Sequence, residues 1–217
     1  MNTPPDRCRI VLVAPPGADI ATLPRRIAEA ISGGDVASLI LPQYDLDETA
    51  FQKLAERIVP HAQEKGVAVI LAGDSRVAGR VGADGIHMDA NVDAVMDAVA
   101  RAKGRSMVGA GGAKTRDEAL TLGEAQPDYL YFGRFGHDTK AEPHPRNLEL
   151  GNWWSEMVAI PCIVEAGSDL ASIDTVAVTG AEFVALSTAV FSGSLPPAEA
   201  VAEANRRLDA AATGRDD

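Results

Sequence analysis

What this sequence is short of narrows its function before any motif is read. It holds two cysteines, Cys8 and Cys162, each in an apolar, strand-like run. Such a pair reads as reduced core thiols of a cytoplasmic protein, not as a disulfide framework. Neither sits in the polar, helix-start surroundings that activate a nucleophilic thiolate. Basic residues are outnumbered, 20 Lys and Arg against 31 Asp and Glu, for a net charge of −11. That charge repels nucleic acid and anionic membrane, so neither is an expected partner. It leaves room for a local basic pocket, where short-range geometry outweighs net charge. No apolar run approaches the roughly 18 residues of a membrane span. The opening MNTPPDRCRIVLVAPPG lacks a basic leader, and its run IVLVA is too short for a signal peptide, so it reads as a first buried strand. No linker, low-complexity tract or composition break divides residues 1–217, which are expected to form one domain with a short charged tail from about 212.

What is present is regular alternation. The chain is 46% apolar, enough for a sizeable core. Strand-like runs occupy 8–15, 36–42, 67–73, 83–88, 106–111, 127–133, 160–167 and 181–187. Between them lie segments with helical spacing, such as Leu54, Ile58 and His61 with Val59 alongside, or Val92, Val95, Met96 and Val99. A last helix is expected near 197–212. Eight strands alternating with about eight helices predict a parallel α/β architecture, and at this length a (β/α)8 TIM barrel rather than an open sheet. Ligand-binding residues then belong at the C-terminal ends of the strands.

That rule sorts the candidates. GAGGAKT (109–115) fails the Walker pattern because Ala113 precedes Lys114, and it fails the dinucleotide pattern because Lys114 holds the third glycine position. What remains is a glycine-rich exit into a helix opening at Thr115, with Glu118 completing a capping box. Asp74, ending the third strand, reads equally as a cation or hydroxyl ligand and as a helix cap. His87 in ADGIHMD reads as structural, while Asp89 at the mouth could join Asp74 around a divalent cation. In HDTK, Thr139 and Lys140 suit a pyrophosphate, a hydroxyl beside a point charge. His137 and His144 lack a third nitrogen or sulfur ligand for a transition metal. EAGSDLASI (165–173) and ALSTAVFSG (185–193) end the last two strands, where barrels often hold phosphate. Gly167, Ser168, Ser187 and Thr188 are the residue types such a site needs, with TAVF as its short helix. Trp153 and Trp154 are adjacent, so one packs inward while the other covers the barrel bottom or a subunit contact, which leaves a homo-oligomer open.

In order along the chain, ADGIHM, PDYLYFG with HDTK, IPCIVEAGSD and GAEFVALSTAVF resemble segments of the thiamine phosphate synthase and thiazole tautomerase family, over about 10 to 192. The resemblance implies a (β/α)8 transferase of thiamine biosynthesis that joins hydroxymethylpyrimidine diphosphate to thiazole phosphate with magnesium, releasing pyrophosphate. It implies a small phosphorylated substrate. Asp74 matches the family's metal-binding aspartate, and Thr139 and Lys140 match its diphosphate-binding pair. Gly167 matches its second phosphate-loop glycine and Ser187 its phosphate-binding serine. The chain departs from the pattern elsewhere. LILPQYD lacks the Arg and Lys that end the second strand, and Asp89-Ala90-Asn91-Val92 replaces Gly-Gln-Glu-Asp. His137 stands for the first threonine, Ala166 for the first glycine, and Arg134 follows Gly133 where the tautomerase has its histidine. A degraded diphosphate and metal site is therefore expected, and with it the alternative of a barrel that binds a phosphorylated ligand without turning it over.

Overall fold

The computed structural model describes residues 7–89 and 91–213. The strands are β1 (Arg9–Val13), β2 (Ser38–Pro42), β3 (Ala68–Ala72), β4 (Gly85–Asp89), β5 (Met107–Gly111), β6 (Tyr129–Phe132), β7 (Cys162–Glu165) and β8 (Phe183–Leu186). The helices are α1 (Leu23–Ile31), α2 (Glu48–Glu64), α3 (Ser75–Val81), α4 (Val92–Ala102), α5 (Arg116–Glu124), α6 (Pro145–Met157), α7 (Ser172–Ala177), α8 (Thr188–Phe191) and α9 (Pro197–Thr213). Each strand pairs in parallel with the next, and β1 pairs with β8, from Arg9 with Phe183 to Leu12 with Leu186. The sheet is a closed eight-stranded barrel, as the alternation predicts.

Alternate residues of each strand face opposite sides, so the apolar residues divide into two sets. Val11, Val13, Ile40, Ile70, Tyr129, Tyr131, Ile163 and Ala185 fill the barrel interior. Their neighbours, including Ile10, Leu12, Leu39, Leu41, Leu130 and Val164, pack outward beneath the helices. Three acidic residues align the strand starts. Asp84 accepts from the Val69 amide (2.7 Å), Asp128 from Val108 (2.7 Å) and Glu182 from Cys162 (2.9 Å), each just ahead of an even-numbered strand and bonded to the odd-numbered one before it. The Asp of ADGIHM thus serves the barrel bottom. On the same side, Arg9 holds Asp35 through two contacts of 2.7 and 2.9 Å.

Some local expectations are corrected. His61 is exposed, and α2 buries Phe51, Leu54, Ala55, Ile58, Val59 and Ala62 instead. Met96 is 50% exposed, so α4 packs chiefly through Val95 and Ala98. The first strand begins at Arg9 and ends at Val13, because Pro15 and Pro16 cannot extend the ladder. Trp154 is fully buried and donates its indole N–H to the Ile160 carbonyl (2.7 Å). Trp153 is partly buried and lies under the Arg116 guanidinium of α5, 5.1 Å from the ring centroid. The charged tail beyond Thr213 lies outside the described residues.

Candidate active site

The C-terminal ends of β2 to β6 and the loops after them surround a cavity of about 800 Å³. Its floor is aromatic, and the sequence makes room for it. Gly109 and Gly111 sit on β5, and a Cβ at Gly109 would lie 2.0 Å from Tyr129 Cζ, while one at Gly111 would lie 2.9 Å from His87 Nε2. Two residues without side chains thus admit a tyrosine and a histidine to the crowded interior. His87 Nδ1 and Tyr129 Oη are 3.0 Å apart. Phe135 packs on both His87 and Tyr131, with ring centroids 4.9 and 4.8 Å apart. Burial pushes the His87 imidazole down to about 3, so the ring is neutral and its 4.0 Å approach to Asp89 is not an ion pair.

Beside these rings, at the C-terminal end of β7, stands Glu165, 8% exposed. One carboxyl oxygen faces the Tyr131 hydroxyl (3.1 Å), and the other accepts from the Arg134 amide (3.0 Å). Burial, with Asp138 nearby, pushes its carboxyl up to about 7 despite those two contacts. The cavity is lined on the β5–β6 side by Lys114, Arg134 and Arg146. None of these three side chains has an acidic partner among the described residues.

The ends of β7 and β8 present a different picture. Gly167, Ser168, Ser187 and Thr188 are brought together there, and TAVF forms the short α8. The amides of Gly167, Ser168 and Thr188 are engaged by the chain itself. The Gly167 amide donates to Ser172 Oγ (3.0 Å) and the Ser168 amide to the Lys140 carbonyl (2.7 Å). Thr188 donates to the Asp138 carboxylate (2.6 Å). A Cβ at Gly167 would lie 2.0 Å from the Ala141 carbonyl oxygen, so the loop between β6 and α6 lies directly on the glycine. Asp138 Oδ1 and Ser187 Oγ are buried nearby without hydrogen-bond partners among the described residues.

A model of the family described as thiamine monophosphate synthase matches residues 10–190, through all eight strands but for the first residue of β1. The chain belongs to that family. A thiamine-phosphate synthase of Rhodospirillum centenum is 31% identical over 200 residues, covering 92% of this chain and 97% of the relative. One from Hyphomonas neptunium is 31% identical over 215 residues, covering 96% and 97%. Among solved structures, a thiamine phosphate pyrophosphorylase from Pyrococcus furiosus superposes with a TM-score of 0.78 at 18% identity, covering 95% of this chain and 98% of that one.

The residues that resemble the synthase motifs are dispersed. His137, Thr139 and Lys140 are exposed, and only the backbone of Lys140 reaches the β7 loop. His144 caps α6, its Nδ1 accepting from the Arg146 amide (3.2 Å). Asp74 caps α3 through the Arg76 amide (2.9 Å), and the Arg76 guanidinium contacts both of its oxygens, holding its carboxyl below the usual range. Asp89 opens to solvent, 84% exposed at its side chain. Magnesium prefers octahedral oxygen donors. No group of three His, Cys, Asp or Glu side chains among the described residues could hold a metal ion. As placed, the Asp74 carboxylate is turned onto Arg76 while that of Asp89 faces solvent.

Sequence reasoning missed Glu165 and Phe135. Alternation did contain the signal for Glu165, since Ile163 points inward and the residue two further on must do the same.

Proposed function

We propose that the protein is a transferase of the thiamine phosphate synthase type. It holds a phosphorylated pyrimidine or thiazole in the mouth of the barrel and joins hydroxymethylpyrimidine diphosphate to thiazole phosphate, giving thiamine phosphate and pyrophosphate. The observation that carries this is the cavity itself: in a barrel of this family, aromatic rings line one strand-end cavity together with three cations that have no acidic partner among the described residues. Phe135, Tyr131 and the neutral His87 offer flat apolar faces to a heterocycle. Cations beside the departing pyrophosphate stabilise its developing charge, while the ring nitrogen attacks the pyrimidine methylene. Glu165, titrating near neutral pH, holds a proton beside Tyr131 and fixes the backbone of Arg134. A reducing compartment such as the cytoplasm suits the two buried cysteines, Cys8 and Cys162.

Incubating the purified protein with both precursors and magnesium, and assaying thiamine phosphate by chromatography, tests this reading. Product formed in proportion to protein supports it; absence of product at millimolar substrates refutes it.

A second reading is a barrel that binds a phosphorylated ligand without turnover. It is favoured by the loop that carries Asp138 and Lys140, which occupies the amides at β7 and β8. Calorimetric binding of thiamine phosphate by a protein that makes no product would select it.

A further inference from the structure

We propose that Glu165 is a positioning residue for the heterocycle in the mouth, acting through Tyr131. Whether its carboxyl carries a proton decides whether the Tyr131 hydroxyl is turned on the mouth as a donor. The acid form then favours a ligand whose edge accepts, such as one with an unprotonated ring nitrogen. This rests on the reading that the mouth is the substrate site, and it names what a residue behind the cavity wall contributes there.

The first argument is geometry. Tyr131, on β6, lines the cavity and packs against Phe135. Its hydroxyl has one donor hydrogen and two acceptor positions. Glu165 Oε1, at 3.1 Å, is its one hydrogen-bond partner among the described residues, so the rest of that capacity is unused. The fold makes room for the pair. A Cβ at Gly133 would lie 2.5 Å from Glu165 Cβ and 2.6 Å from Tyr131 Cε1, so a glycine there leaves the space in which the two side chains meet.

The second argument is the direction of the hydrogen bond. Glu165 Oε2 accepts from the Arg134 amide (3.0 Å), so a proton on the carboxyl rests on Oε1 and faces Tyr131. The acid then donates to the tyrosine oxygen, and the phenolic O–H swings to its other side. Ionised, Glu165 can only accept, and the phenolic O–H turns back to it. One proton thus exchanges donor for acceptor at a fixed point of the wall.

The third argument is what surrounds the carboxyl. Arg134 reaches it through the backbone, and the guanidinium lines the cavity. Asp138, from the same loop, adds negative charge, and Tyr44 faces it from the loop after β2. Burial keeps both tyrosines protonated well past their ordinary range. The other neighbouring strand, β8, brings no titratable side chain, and His87, with its ring 5.7 Å from that of Tyr131, stays neutral. Burial and Asp138 push the carboxyl up to about 7, so the acid form holds below neutral pH and gives way above it.

Calorimetric titration of the full-length protein with thiamine phosphate from pH 5.5 to pH 8.5 tests the assignment. Ionisation of the ligand is common to every variant and cancels in the ratio of affinities at each pH. Glu165→Gln holds the acid-like arrangement, its NH2 donating to Tyr131, so it should match the wild type at pH 5.5. At pH 8.5 it should bind about three- to tenfold more tightly than the wild type, the effect of one hydrogen bond. Tyr131→Phe should weaken binding by a similar factor at pH 5.5, and adding Glu165→Gln to it should restore no pH dependence. Infrared spectra without ligand should show a carboxylic-acid C=O band that fades towards pH 8.5 and is absent from Glu165→Gln. A ratio that stays flat with pH, a pH dependence that survives in Tyr131→Phe, or a missing band overturns the assignment. Binding with a flat ratio would leave the synthase reading standing. The expected pH dependence without turnover would remove that reading and keep the assignment, and a protein that binds no thiamine phosphate at any pH would overturn both.

Discussion

Replacing Glu165 with glutamine should alter how stability depends on pH while leaving the fold in place. The carboxyl is buried, and burial raises it from 4.5 to about 7. A group whose pKa is higher in the folded state contributes stability that is full below its unfolded value and is lost as pH rises through the folded value. The window therefore runs from about 4.5 to about 7, and at roughly 1.4 kcal/mol per unit the loss is on the order of 3 kcal/mol. Glutamine reproduces the shape and hydrogen bonding of the protonated acid. Its carbonyl can accept from the Arg134 amide while its NH2 donates to the Tyr131 hydroxyl. Urea unfolding of both proteins from pH 4 to pH 8.5 isolates the effect, because every other titrating group is common to the pair. The wild type should lose about 3 kcal/mol relative to Glu165→Gln across that range. A difference that stays flat with pH would show that Glu165 ionises like an exposed carboxylate, and the account of the mouth floor would fail with it.

Other outcomes follow from the same contacts. Trp154→Ala empties a fully buried site and leaves the Ile160 carbonyl without its indole donor, so chemical denaturation should register a loss of about 3 to 5 kcal/mol. Asp138→Ala removes the acceptor for the Thr188 amide and frees the loop over Gly167; a loss of about 2 kcal/mol is expected, with faster amide exchange at residues 138–142. Gly109→Ala places a methyl where the Tyr129 ring lies, and should cost about 1 to 3 kcal/mol and perturb the near-ultraviolet dichroism of the tyrosines.

The barrel was legible because its signals are short-range and repeated. Val11 and Val13, or Tyr129 and Tyr131, state the inward face of a strand within three residues, and turn residues punctuate each unit. The barrel rule assigns the candidate site to strand ends before any side chain is placed, and a cavity lies there. What hides in the sequence is the competition for donors. Thr188 bonds to Asp138, 50 residues away, and Ser168 bonds to a carbonyl rather than to any side chain, so no residue pattern announces either. For Asp74 the choice between metal ligand and helix cap turns on Arg76 two residues on, whose guanidinium closes on the carboxylate only once α3 has formed. Lys114, Arg134 and Arg146 are scattered over 33 positions of sequence, and only closure of the barrel mouth makes them one surface.

The central claim, that the mouth of the barrel receives a phosphorylated heterocycle, is tested most directly by a crystal structure of the protein soaked with thiamine phosphate. The account predicts ring density in the strand-end cavity, against Phe135 and Tyr131. Ring density elsewhere on the molecule, or a mouth that takes up no ligand, would contradict it.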